Sequence, residues 1–179
     1  MEFKRSILEG VIEIIPNVFG DERGYFLESY NKDLFSKNGI DISFVQDNQS
    51  LSSKNVVRGL HFQAPPFAQD KIVRVIKGSV VDVVVDIRKN SPTYGQFETY
   101  TLTEEKKNML LVPKGFAHGF VTLEDNTIFV YKCSNVYNKE SEGGILWNSL
   151  DINWQVENPI VSDKDKILPK FSEFITSFV

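Results

Sequence analysis

Short runs rich in Val, Ile, Phe, Tyr and Thr recur between Val11 and about Trp147, each closed by turn residues. The clearest is Val80–Ile87, in which Val81, Val83, Val85 and Ile87 fall on one face and Asp82, Val84 and Asp86 on the other. That alternation predicts a strand with two different environments. Similar runs are Gly24–Tyr30, Ile42–Ser50, Asn55–Gln63, Lys71–Ile76, Phe97–Thr103, Met109–Val112, His118–Leu123 and Thr127–Cys133. Turn signals separate them at Lys77-Gly78, Ser91-Pro92, Pro113-Lys114-Gly115 and Glu124-Asp125-Asn126. Many short strands with little room for crossover helices predict an all-β fold, an antiparallel jelly-roll barrel or sandwich. Helix is expected only peripherally, at Asn31–Asn38 before Gly39 and at Phe171–Phe178. With no repeat, low-complexity segment or linker, residues 1–179 read as a single domain.

Several β-runs carry polar side chains where strand propensity favours apolar ones. Alternation through Phe44–Ser50 places Gln46, Asn48 and Ser50 on one face, and for this strand taken alone a solvated outer surface is the favoured reading. In Val56–Gln63, Arg58 and His61 are three apart, so a regular pleat sends them to opposite faces. Gly59 between them could mark a bulge that turns both inward, and the pattern leaves that reading and a surface Arg with a half-buried His both open. Lys71 opens its strand, where a snorkelling lysine is the ordinary reading. His118 begins a strand after a tight turn, and Tyr131 shares a face with Phe129 and Cys133, as a core tyrosine with its hydroxyl at a barrel mouth would.

The 179 residues carry a net charge of -4, with 20 Lys and Arg against 24 Asp and Glu, which argues against a nucleic-acid surface. Any anionic ligand must then be held by a local cluster. No apolar stretch approaches the ~20 residues of a membrane span. The single cysteine, Cys133, and an N-terminus without a signal-peptide pattern predict a cytoplasmic protein. Two His and one Cys are too few for the several-imidazole metal site that jelly-roll barrels often hold, so no metal is expected. Glycine-rich phosphate loops and Gly-x-Ser-x-Gly elbows are absent, so no nicotinamide or other redox cofactor is expected either. The remaining inventory of His, Tyr, Lys, Arg and carboxylates suits proton transfer and anion binding.

The runs Phe19–Phe26, Val45–Asn48, Arg58–Gln63 and Gly115–Phe120 closely resemble the dTDP-4-dehydrorhamnose 3,5-epimerase family. The likeness continues through Gln69–Lys71, Asp82–Arg88, Ser91–Gly95, Tyr131, Tyr137, Ile145–Asn148 and Ser162–Asp165, covering nearly the whole chain. The resemblance implies a cupin-type jelly roll, a homodimer paired through N-terminal strands, and a dTDP-linked 4-keto-6-deoxy sugar inverted at C3 and C5 without metal or cofactor. It implies His61 as general base oriented by Asp165, Tyr131 as the acid opposite, and Lys71 at the enolate oxygen. It further assigns Arg23, Glu28, Gln46, Asp47, Asn48, Arg58, His118, Glu142 and Lys164 to substrate binding, with Tyr137 stacked on the thymine. Two departures are Val136, where relatives often carry an aromatic, and Gln155, where proline is usual after Trp154; the first bears on whether one carbon or both is processed. The alternatives are a monofunctional C3 or C5 epimerase and a catalytically inert cupin that only binds a sugar nucleotide or a protein.

Overall fold

The computed structural model describes residues 1–179. In chain order its strands are β1 (Glu2–Arg5), β2 (Ile12–Ile15), β3 (Val18–Asp21), β4 (Gly24–Leu27), β5 (Gln46–Ser52), β6 (Val56–Gln63) and β7 (Lys71–Lys77). There follow β8 (Ser79–Asp86), β9 (Phe97–Thr103), β10 (Met109–Val112), β11 (Phe116–Thr122), β12 (Thr127–Cys133), β13 (Glu142–Gly144) and β14 (Ile160–Val161). One six-stranded sheet runs β1-β2-β10-β7-β12-β5, and the facing sheet β13-β6-β11-β8-β9 carries β14 alongside β6. All pairings are antiparallel except that of β14 with β6. This is the antiparallel sandwich that the short runs predict.

Strand β8 is buried along its whole length. Val80 and Val84 face inward with Val73, Val75, Leu110, Phe120 and Phe129, forming the core between the sheets. Val81, Val83, Val85 and Ile87 face outward onto Trp154, Ile145, Phe171, Phe174 and Phe178. A third cluster seats helix α1 (Lys32–Lys37) on the outside of the first sheet through Phe35, Ile12, Ile72 and Met109. Helix α1 lies within the expected Asn31–Asn38, with the Asn31 side chain capping the Leu34 N–H.

Three expectations about elements need correction. The Phe171–Phe178 helix does not form: a single 3-10 turn at Phe171–Glu173 gives way to an extended strap. Its phenylalanines bind the second sheet, Phe174 and Phe178 meeting Phe62 edge-on, while the Phe178 carbonyl accepts from the Lys89 N–H. The predicted strand at Gly24–Tyr30 ends at Leu27, and that at Ile42–Ser50 begins only at Gln46. Short helix α2 (Asp163–Lys166), capped by Ser162, was not anticipated. Gln155 adopts a φ of 55°, a conformation closed to the proline usual at that position.

Candidate active site

The site lies between the sheets at one end of the sandwich. His61 enters from β6 of one sheet, while Lys71 and Tyr131 enter from β7 and β12 of the other. A bulge in β6 makes this possible: His118 pairs with His61 but Phe120 pairs with Arg58, so three residues of β6 span two of β11. Gly59 sits at the irregularity with φ of 138°, and a Cβ there would come within 2.6 Å of the Gly119 Cα. Arg58 and His61 consequently face one cavity, which the regular pleat forbids.

That cavity has a volume of about 530 Å³ and is lined by Arg58, His61, Lys71, His118, Tyr131, Lys164 and Asp165 among others. An adjoining one of about 350 Å³ shares His61, Lys71 and Tyr131 and adds Gln46, Asn48, Gln63, Gln69, Tyr137 and Glu142. The two adjoin at the shared side chains and together make up a recess.

His61 Nε2 lies 2.7 Å from Asp165 Oδ1. Helix α2 places that carboxylate, whose Oδ2 also accepts from the Gly59 N–H at 3.4 Å. Burial alone would raise the Asp165 carboxyl, but hydrogen bonds from His61, Gly59 and the Ser162 region outweigh it and hold it below the usual range. An ionised carboxylate on Nε2 fixes the ring, leaving Nδ1 for the cavity. Tyr131 packs on Phe129 with ring centroids 6.1 Å apart, its hydroxyl makes no hydrogen bond to protein, and burial pushes its ionisation up. Lys71 Nζ lies 5.8 Å from the centre of the Tyr131 ring and forms no ion pair. Burial lowers the Lys71 ammonium, and nearby Cys133, Asp82 and Glu142 partly restore it.

Around this centre Arg58 is held only by the Ser52 hydroxyl, at 3.1 Å, so its charge is free for an anion. Gln46 donates to Asn48 Oδ1 at 3.1 Å and accepts from the Tyr137 N–H at 2.9 Å, which turns the polar face of β5 into a cavity wall. Tyr137 donates its hydroxyl proton to Glu142, which is also paired with Lys164. Burial would raise Glu142, but these partners keep its carboxyl low. No three His, Cys, Asp or Glu side chains cluster as metal ligands.

Eleven of the expected site residues thus meet around one recess: His61, Tyr131, Asp165, Lys71, Gln46, Asn48, Arg58, His118, Tyr137, Glu142 and Lys164. Three do not reach it. Asp47 points to the other face of β5, where Lys132 pairs with it at 3.0 Å. Arg23 stands on the exposed β3-β4 hairpin, bonded to Asp21, and Glu28 follows that hairpin, exposed and accepting from Asn31. The sequence reading missed Asp82, buried against His118, and Gln63 and Gln69 in the recess wall. An acid within an otherwise valine-rich strand was the available sign of Asp82.

A sandwich whose opposed sheets bring a carboxylate-bound imidazole and an unbonded phenol to one polar recess holds the groups for acid–base proton transfer. The profile of the family described as dTDP-4-dehydrorhamnose 3,5-epimerase matches residues 5–173. The dTDP-4-dehydrorhamnose 3,5-epimerase of Shigella flexneri is 50% identical over 168 residues, covering 92% of this chain and 93% of that protein. A crystal structure of the Bacillus anthracis dTDP-4-dehydrorhamnose 3,5-epimerase with TDP and PPi bound superposes with a TM-score of 0.92 at 47% identity, over 94% of this chain and 98% of the other. The Legionella pneumophila dTDP-6-deoxy-D-glucose-3,5-epimerase, in complex with dTDP-4-keto-L-rhamnose, gives 0.90 at 41% identity, over 94% and 91%. The chain belongs to the dTDP-4-dehydrorhamnose 3,5-epimerase family.

Proposed function

We propose that this chain inverts C3 and C5 of dTDP-4-keto-6-deoxyglucose, giving the 4-keto precursor of L-rhamnose. The observation that carries this reading is that His61 and Tyr131 come from opposed sheets yet face the same recess as Lys71. The C4 ketone acidifies the hydrogens on both neighbouring carbons. His61 removes one as a proton, the C–H electrons pass into the C3–C4 or C4–C5 bond, and negative charge collects on the C4 oxygen beside the Lys71 ammonium. Tyr131, kept protonated by burial, returns a proton to the other face. Only protons move, so the electron balance calls for no redox partner. Asp165 orients His61 and stabilises its imidazolium.

Arg58, Lys164, Gln46, Asn48, His118 and Glu142 bind the nucleotide-sugar, with Tyr137 stacking on the base. Arg23 and Glu28, remote from this chain's own recess, act in a homodimer. Support comes from the β3-β4 hairpin, which exposes Val18, Phe19, Tyr25 and Phe26 and carries Arg23 at its tip. A buried, unpaired Cys133 suits a reducing cytoplasm.

The test is incubation with dTDP-4-keto-6-deoxyglucose in D2O. Deuterium at both C3 and C5 of an inverted product is expected; deuterium at one carbon alone makes the chain a monofunctional epimerase, and none removes the proposal.

A further inference from the structure

Asp82 sits in the middle of β8 on the inward face between Val80 and Val84, with 0% of its surface exposed. A valine there would complete the apolar face, and a lone carboxylate so deep would be strongly unfavourable. The acid has a partner on the next strand, where His118 Nε2 lies 2.9 Å from each carboxylate oxygen. The other nitrogen of His118 makes no hydrogen bond to protein and is not sealed from solvent, and the residue lines the same recess as His61 and Lys71. His118 is also the register partner of His61. Two imidazole–carboxylate pairs therefore stand side by side on neighbouring strands, each with Nε2 on its acid and Nδ1 without a hydrogen bond to protein.

The charged and titratable groups around Lys71 are Asp82 on β8, His118 on β11, Arg58 and His61 on β6, Tyr131 and Cys133 on β12, Glu142 on β13, and Lys164 and Asp165 on α2. Of the three carboxylates among them, Glu142 is committed to Lys164 and Tyr137 at the mouth and Asp165 to His61. Asp82 is the one enclosed in the core. Burial pushes its carboxyl up, and the charges of His118 and Lys71 draw it back.

We propose that Asp82 is a positioning residue for the reaction: it holds His118 with Nε2–H on the carboxylate and Nδ1 toward the sugar. This rests on the epimerase reading. A protonated Lys71 stabilises the enolate, and activity falls as pH rises through the Lys71 ionisation. Removing the Asp82 charge lets that ionisation drop further, so the alkaline limb of kcat moves to lower pH.

In Asp82→Asn, kcat is expected to fall roughly 10- to 100-fold, the range typical when the carboxylate behind a ligand-holding imidazole is removed. The alkaline limb moves down by roughly one pH unit, while dTDP affinity by calorimetry stays close to wild type. Asp82→Glu restores the limb even if kcat stays low. An Asp82→Asn enzyme with wild-type kcat and pH profile overturns the proposal. Should that variant not fold, the wild-type protein still decides it. The chain has two histidines, so nitrogen-15 imidazole NMR, assigned with His61→Asn, reads the tautomer of His118 directly. A proton on Nε2, shared with the Asp82 carboxylate, is expected, and an Nε2 without its proton overturns the assignment. Wild-type enzyme that fails to exchange the sugar protons strikes the epimerase reading instead, whichever tautomer is found.

Discussion

Valine would suit every inward position of β8, so its two acids need separate reasons. Asp86 is accounted for structurally: burial opposes its charge, but Arg88, Ser91 and Thr93 all donate to it and bring its ionisation down to about 2. Asp82 has no such turn around it, only a site imidazole. The same distinction separates His61 from an ordinary core histidine. Its Nε2 is committed to Asp165, and a third of its side chain, 33%, remains exposed to the recess. His61→Ala should therefore abolish solvent exchange into the sugar while leaving dTDP affinity within about twofold, because the proposed mechanism has His61 act on the ring carbons and not on the nucleotide. Exchange measured by NMR at the wild-type rate would mean that another group is the base. Gln46, Asn48, Arg58, His61, Lys71, His118 and Tyr131 were visible as polar residues inside β-runs. No periodicity marks Asp165, Lys164, Tyr137 or Glu142, which lie in α2 or beyond β12; for these only the likeness to a family spoke.

Between elements, the decisive event is the extra residue in β6. Strand propensity registers Gly59 as a weak point and cannot say which way the flanking side chains turn; that depends on Gly119 across the ladder, whose missing Cβ admits the Gly59 backbone. The pairing of two glycines on strands far apart in sequence is a tertiary fact, which is why the pattern alone left Arg58 and His61 undecided. Similar reasoning covers the C-terminal strap. Phe171, Phe174 and Phe178 are spaced as one helical face, yet the outer surface of β8 and the free groups of Ile87 and Lys89 bind an extended chain instead. Local pattern located the strands of the sandwich well where one face was apolar, and poorly at β1, β3, β13 and β14, which have two to four residues each and too few positions for alternation to show.

On the scale of the whole molecule, the positive charge is arranged against the net charge of -4: Arg58 and Lys71 reach the recess with no carboxylate bound to them. An anionic diphosphate finds local attraction in an acidic protein, and its affinity should weaken with salt. The hairpin β3-β4 is the part that a single chain leaves unexplained, with Phe26 69% exposed and Arg23 at its tip, away from the chain's own recess. Pairing of two chains through this hairpin would cover the aromatics and bring Arg23 to the partner's substrate. Phe26→Glu should then shift sedimentation from a dimer toward the 20.4 kDa monomer and weaken dTDP binding together. Wild-type protein that sediments as a monomer at micromolar concentration would contradict the pairing.

Opposed proton delivery is tested most directly by Tyr131→Phe incubated with the 4-keto sugar nucleotide in D2O, with the stereochemistry of each labelled carbon read by NMR. With His61 intact and the opposite acid removed, deuterium should enter while the original configuration is kept, because the base returns a deuteron to the face it left. Inversion at the wild-type rate in this variant would show that the phenol does not supply the second face.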